Sequence, residues 1–188
     1  MEKDVFNTLF NLVKPVQDWN ELYSLVNKVE LEGVNRILEI GVEGGGTGKF
    51  WLTVIKNKTN RLYIGVDTNI SKVGDKFDEF IDFGFVHMVE GESQSTTSIN
   101  SVKKILGSSL FDFIYIDGSH KMEDVYKDVI NYYPLLKNGG IMAFHDYGDI
   151  NGGPYNAIKK LKIENKLNIQ TEGTFPGEMT TYWFMKGA

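Results

Sequence analysis

Apolar residues recur along this chain in two rhythms that alternate. Val5, Leu9, Phe10 and Val13 sit at helical spacing, and so do Leu22, Leu25, Val26 and Val29. Residues 1–34 are therefore expected to form two helices, the first ended by Pro15. "RILEIGV" (36–42) is a short apolar run of strand type, followed by a helix with Phe50, Trp51, Val54 and Ile55 on one face. The pattern then repeats. "RLYIGVD" is a strand, "KFDEFIDFG" a helix ending at Gly84, "FVHMVEG" a strand, and "STTSINSVKKILG" a helix capped by Gly107. "LFDFIYID" is apolar on both faces, as a central parallel strand should be. Val125, Val129, Tyr132, Tyr133 and Leu136 mark a further helix face, "NGGIMAFHD" turns into a fifth strand, and "NAIKKLKIENK" is helical with a solvated lysine face. The last segment, "LNIQTEGTFPGEMTTYWFMKG", holds two strand-like runs joined by a Gly/Pro-rich loop, a hairpin.

Five successive strand–helix units predict a Rossmann-like, doubly wound α/β sheet, mostly parallel. The hairpin brings the expected total to seven strands and adds antiparallel pairing. There is no repeat or long linker, so residues 1–188 are expected to form a single domain. Composition narrows the partners. A net charge of −5 argues against nucleic acid or an anionic membrane. The absence of cysteine excludes disulfides and thiolate metal sites. The N-terminus does not read as a signal peptide, and no apolar run approaches the roughly 20 residues that span a bilayer. A cytoplasmic protein is the expectation.

In a doubly wound sheet, ligands bind beyond the carboxyl ends of the strands, where strand order reverses. After the first strand come Glu39, Gly41, Gly44, Gly45, Gly46, Thr47 and Gly48. The dinucleotide spacing G-x-G-x-x-G fails here, with Lys49 or Trp51 in the third glycine's place. The phosphate-loop spacing fails as well, because Gly48-Lys49 is followed by Phe50. A glycine loop preceded by an acid suits a cationic ligand better than a phosphate, although Glu39 could instead cap local backbone donors. Asp67 ends the second strand, where a carboxylate can hold ribose hydroxyls or cap a helix. Glu92 and Ser93 follow the third strand, facing an adenine edge or forming a plain capped loop. "IDGSH" places Asp117 and His120 after the fourth strand, and "FHDYG" places His145 and Asp146 after the fifth. Two carboxylates and two histidines at neighbouring strand ends point to chemistry or metal binding. His87, alone in a strand, reads as structural.

The series E-I-G-x-x-x-G-x-T, an acid after the second strand, "YIDGSH", and "LLKNGGIMAFHDY" resembles the class I S-adenosylmethionine-dependent methyltransferases. The branch it is most similar to is the small O-methyltransferases related to the catechol enzymes and to macrolide and aminocoumarin sugar methyltransferases. The resemblance covers about residues 35–187, hairpin included. It implies S-adenosylmethionine as cofactor, held by Glu39, Gly41, Gly45, Thr47, Asp67, Glu92, Ser93 and Asp117, and a small hydroxylated acceptor, a sugar among the options. It also implies a divalent metal site (magnesium, manganese or another ion) at Asp117, His145 and Asp146. His145 stands where the sugar enzymes usually carry a carboxylate, and imidazole suits zinc, manganese or iron better than magnesium. His120 falls where the catechol enzymes place a catalytic lysine. With an ordinary pKa near 6.5 it is the expected general base, with His145 second. Residues 1–34 are expected to act as a partial lid or an oligomer contact. Two other readings stand beside this one: a binding module of the same fold without turnover, and a nicotinamide-dependent oxidoreductase, against which the glycine spacing and the hairpin both weigh. Trp19, Tyr23, Tyr147, Tyr155, Phe175 and Trp183 line an acceptor pocket or pack in the core.

Overall fold

The computed structural model describes residues 1–81 and 83–188. Two helices, α1 (Lys3–Val13) and α2 (Trp19–Leu31), precede the first strand. Asp18 caps α2, its side chain accepting from the amides of Asn20 and Glu21. From there strands and helices alternate: β1 (Arg36–Ile40), α3 (Gly46–Ile55), β2 (Leu62–Asp67), a 3-10 turn (Ile70–Val73), α4 (Asp78–Ile81), β3 (Val86–Glu90), α5 (Thr96–Leu106), β4 (Phe111–Ile116), α6 (Met122–Tyr132), β5 (Leu136–Phe144) and α7 (Gly153–Ile163). The hairpin strands β6 (Ile169–Phe175) and β7 (Thr181–Lys186) close the chain.

The described strands form one sheet of order β3-β2-β1-β4-β5-β7-β6. Strands β1 to β5 run parallel, and β7 pairs antiparallel with both β5 and β6. The fold class expected from the sequence, a seven-stranded, mostly parallel sheet with a terminal antiparallel hairpin, is the one observed. Order reverses between β1 and β4, which places the ligand-binding crevice at their carboxyl ends.

Side chains of β1 and β4 alternate between two cores. Ile37, Phe113 and Tyr115 pack beneath α1, α2 and α3, whereas Leu38, Ile40, Ile114 and Ile116 pack beneath α5, α6 and α7. All six residues of β4 are buried, which is why its sequence shows no polar face. Each fully buried large side chain there contributes about 1.5–3 kcal/mol relative to exposure. At the far end of the sheet the carboxylate of Asp112 accepts from the amides of Asn35 and Arg36 and pairs with Lys137 at 2.6 Å, tying together the starts of β1, β4 and β5.

Three boundaries differ from the sequence reading, each for a local reason. The helix face expected to run through Tyr133 and Leu136 stops at Tyr132. Pro134 disfavours helix in the residue before it, so Tyr133–Leu135 form a 3-10 turn and Leu136 opens β5. α7 begins at Gly153, where Pro154 supplies a pre-set helical φ. The helix expected over 76–84 shrinks to α4, and position 82 of that expectation lies outside the described residues.

Candidate active site

A cavity of about 1210 Å³ opens at the carboxyl ends of β1, β2, β4 and β5. Its walls come from the glycine loop, Asp67 and Thr68, residues 92–94, residues 117–121, His145 and Asp146, the N-terminal segment 13–18, and Glu178 with Met179 from the β6–β7 loop.

The glycines serve distinct ends. Gly41 has φ +85°, and a Cβ there would lie 2.1 Å from the carbonyl oxygen of Asp117. Only glycine lets the exits of β1 and β4 pass this closely. Gly48 lets α3 settle on the sheet, since a Cβ would strike Phe77, the Tyr63 hydroxyl and Glu39. Gly45 adopts φ +74° at the N-cap of α3 and faces Val73 and Phe77. It was expected to touch a cofactor, but it lies off the cavity wall, while Gly41, Gly44, Gly46 and Thr47 line it.

Glu39 requires a larger correction. It is 0% exposed and lies beneath the loop, outside the cavity lining. Side chains on odd positions of β1 point into the core under α3, so Glu39 accepts from Trp51 Nε1 at 3.2 Å and from the Tyr63 hydroxyl. Burial pushes its carboxyl up to about 8, which favours the neutral form. Among the described residues its side chain accepts from no backbone amide and does not reach the cavity wall.

Asp67 does line the cavity, with much of its capacity in use. One oxygen accepts from the amides of Val42 and Glu43 (2.9 and 2.8 Å), and the other from Asn69 at 2.9 Å. Of roughly four acceptor positions on a carboxylate, two hold the glycine loop against the end of β2 and a third fixes the turn that follows it.

Glu92, Ser93 and Gln94 form the wall beyond β3, and the helix cap there is Ser95, whose hydroxyl oxygen accepts from the Ser98 amide at 3.1 Å. Gln94 donates to both oxygens of Asp128 at 2.9 Å. Tyr132 donates its hydroxyl to the Ser93 carbonyl at 2.7 Å. Asp128 is fully buried, and desolvation raises its carboxyl to about 7.

The expected carboxylates and histidines do converge. His120 Nε2 lies 2.9 Å from Asp146 Oδ2, and its side chain is exposed at the cavity mouth. Asp117, His120 and Asp146 each present a donor atom within 4.8 Å of the others. Two carboxylate oxygens and one imidazole nitrogen fit a divalent cation of the manganese, iron or zinc type. The expected ligand His145 is instead the brace behind this group. Its Nδ1 lies 3.2 Å from Asp146 and 3.4 Å from Asp117, and Nε2 faces Glu21 at 4.0 Å. Burial disfavours the charged imidazole, but hydrogen bonds and charge from Asp117 and Asp146 outweigh it and raise His145 to about 10. With Nδ1 turned to both carboxylates and Nε2 to Glu21, His145 braces the corner from behind, and the exposed His120 is the histidine at the cavity mouth. Burial pushes Asp117 up, opposed by the His145 hydrogen bond. Burial also acts upward on Asp146, but there His145 prevails and holds the carboxyl below its ordinary value.

Two site residues escaped the sequence reading. Gln17 crosses from the N-terminal segment into the cavity, donating to Asp117 and accepting from the Thr47 hydroxyl at 2.5 Å. Glu21 is fully buried beside His145. The second had a legible signal: a carboxylate four positions before Leu25, on the apolar face of α2. Gln17 had none. Of the two readings of the aromatic residues, packing is the one seen, and no Phe, Trp or Tyr lines the cavity among the described residues. Trp19 and Tyr23 pack on Phe6, Tyr147 stacks on Tyr182 and contacts Tyr155, and Phe175 stacks on Trp183. His87 sits within β3, outside the cavity.

No helix among the described residues is long and apolar enough to cross a membrane. No curated protein sequence matches the chain. Among solved structures it is similar to the O-methyltransferase from Bacillus cereus in complex with SAH (14% identity, TM-score 0.72, covering 99% of this chain and 92% of that one). It is similar, too, to the O-methyltransferase TomG from Streptomyces achromogenes, in complex with SAM (13% identity, TM-score 0.71, 100% and 92%). A third is CalS11, a TDP-rhamnose 3'-O-methyltransferase of calicheamicin biosynthesis (17% identity, TM-score 0.70, 100% and 95%). At such identities the likeness establishes the fold. A family model described as a methyltransferase domain matches residues 38–147, from β1 through the end of β5 to Tyr147. The chain belongs to this methyltransferase-domain family and has the fold of the class I S-adenosylmethionine-dependent methyltransferases.

Proposed function

We propose that this protein transfers the methyl group of S-adenosylmethionine to a hydroxyl oxygen of a small, polar, non-aromatic acceptor, a sugar hydroxyl fitting best. The carrying observation is the cavity itself. A glycine loop without phosphate-binding spacing opens at the switch point, next to an Asp117–His120–Asp146 cluster. The cofactor's amino acid end lies along Gly41–Thr47, and its nucleoside end lies against Asp67, Glu92 and Ser93. The absence of aromatic lining among the described residues favours a hydroxylated over a flat acceptor. The fold neighbours described as O-methyltransferases, one of them acting on TDP-rhamnose, support the same reading. Residues 1–188 act as one unit, with segment 13–18 closing the cofactor end.

The reaction is an in-line displacement. A bond forms from the acceptor oxygen to the methyl carbon, the carbon–sulfur bond breaks with its electron pair going to sulfur, and the hydroxyl proton must leave. Asp146 accepts from His120 Nε2, which fixes the ring and leaves Nδ1 as the acceptor for that proton. Asp117, His120 and Asp146 also fit a divalent cation, which when bound lowers the pKa of an acceptor hydroxyl. His145 holds both carboxylates in place in either case.

Calorimetry of metal-stripped protein with S-adenosylhomocysteine, repeated with Mn²⁺, tests this. The expected result is micromolar binding, followed by methyl transfer to members of a sugar and polyol panel detected by mass spectrometry. Binding without transfer to any hydroxylated acceptor would favour the binding-module reading. No binding under either condition would overturn the proposal, and NADH binding in its place would revive the oxidoreductase.

A further inference from the structure

Glu21 lies on α2, far in sequence from everything it holds. One oxygen accepts from the amides of Met179 and Thr180 at 3.0 and 2.9 Å. The other accepts from the Thr181 hydroxyl at 2.9 Å and faces His145 Nε2 at 4.0 Å. Among the described residues that nitrogen has no hydrogen-bond partner. The β6–β7 loop held in this way bonds in turn to the segment after β5. Tyr147 donates its amide to the Thr180 carbonyl at 3.0 Å, and Gly148 donates to the Met179 carbonyl at 2.8 Å.

This junction contains two non-glycine residues in the left-handed region, Asp146 at φ +56° and Thr180 at φ +55°. A β-branched residue rarely adopts that conformation unless its surroundings impose it. The three acceptor contacts of Glu21 impose it on Thr180, and the paired amides pass the constraint to Asp146. A second route runs through His145, which touches both Asp117 and Asp146.

We propose that Glu21 is a positioning residue for the Asp117–His120–Asp146 corner, strapping the β6–β7 loop so that Asp146 keeps the backbone conformation that aims its carboxylate at His120. This rests on the functional reading above.

Glu21→Ala removes every acceptor of the strap. Glu21→Gln keeps one oxygen for the two amides and, through its NH₂, can still meet the Thr181 hydroxyl. Gly177→Ala is an independent probe, because a Cβ at that position would lie 2.2 Å from Glu21 Oε1. Mn²⁺ affinity, S-adenosylhomocysteine affinity and kcat are measured on all three full-length variants. Loss of a supporting contact behind ligands typically costs about 10–100-fold in metal affinity or activity. Glu21→Ala and Gly177→Ala should therefore lose about tenfold or more in Mn²⁺ affinity and kcat, with S-adenosylhomocysteine affinity held within about threefold of wild type. Glu21→Gln should keep most of both. Thr180→Gly, free to adopt the same φ, should restore part of what Glu21→Ala loses. If Glu21→Ala does not fold, Gly177→Ala decides. Mn²⁺ affinity and kcat within twofold of wild type in the variants that lose the strap would overturn the inference. So would a parallel loss of S-adenosylhomocysteine affinity, which would assign Glu21 to overall stability alone. A wild-type protein that binds Mn²⁺ but transfers no methyl group defeats the functional reading, while the Mn²⁺ measurements still judge Glu21. One that neither binds nor transfers overturns both.

Discussion

Glu39→Gln isolates a single buried proton. Glu39 is fully enclosed, its only side-chain partners among the described residues being Trp51 and Tyr63, and burial raises its carboxyl from 4.5 to about 8. Between those values the folded protein holds a proton that the unfolded chain has released. Stability carried by the neutral carboxyl is thus fully present below pH 4.5 and falls as pH rises through about 8. At 1.36 kcal/mol for each tenfold change in proton affinity, the full loss is about 5 kcal/mol, and about 4 kcal/mol of it falls between pH 5 and pH 9. Glutamine is neutral at every pH and matches the site, with its carbonyl accepting from Trp51 and its NH₂ donating to the Tyr63 oxygen. Urea unfolding followed by tryptophan fluorescence, at pH 5, 7 and 9, gives the difference between variant and wild type. That difference should shift in favour of Glu39→Gln by about 4 kcal/mol from pH 5 to pH 9. With a urea dependence near 2 kcal/mol per molar, the relative midpoint moves by about 2 M. Other titrating groups cancel in the comparison. A change under about 1 kcal/mol across that range would refute a neutral Glu39 and reopen a role for it as an anion.

Two further outcomes follow from the same site. Asp67→Ala leaves the amides of Val42, Glu43 and Asn69 without their acceptor, so the glycine loop loosens and S-adenosylhomocysteine affinity should fall by at least about 1 kcal/mol in calorimetry; unchanged affinity would remove Asp67 from the cofactor site. Asp128, raised from 3.8 to about 7 by burial behind Gln94, contributes stability that is lost as pH rises toward 7 and above. Asp128→Asn should flatten that part of the profile by up to about 4 kcal/mol between pH 4 and pH 8, read by thermal or urea unfolding, and an unaltered profile would show the carboxyl to be charged.

Much of the site was legible because strand ends are legible. Short, continuous apolar runs bounded by turn residues locate β1 to β5, and a parallel sheet sends every residue that follows them to one edge. Asp67, Ser93, Asp117, His120 and Asp146 all stand where that rule puts them. The rule says which edge a residue reaches but not which way its side chain turns. Glu39 lies one residue before the end of β1 and alternates inward, toward Trp51 and Tyr63. His145 follows β5 but turns behind the carboxylates it was expected to join as a ligand.

What the sequence determined by itself is therefore the sheet, its direction, the glycine loop and the chemistry gathered at one edge, because each depends on local periodicity and short spacing. Tertiary structure alone decided which group carries charge. Burial pushes the Glu39 carboxyl up because water is removed from it, and the His145 imidazole is raised because two carboxylates surround it. It also decided that Glu21 meets Met179, 158 positions away. Desolvation and long-range hydrogen bonds depend on what the folded chain brings together from distant positions, and no local pattern of residues records that.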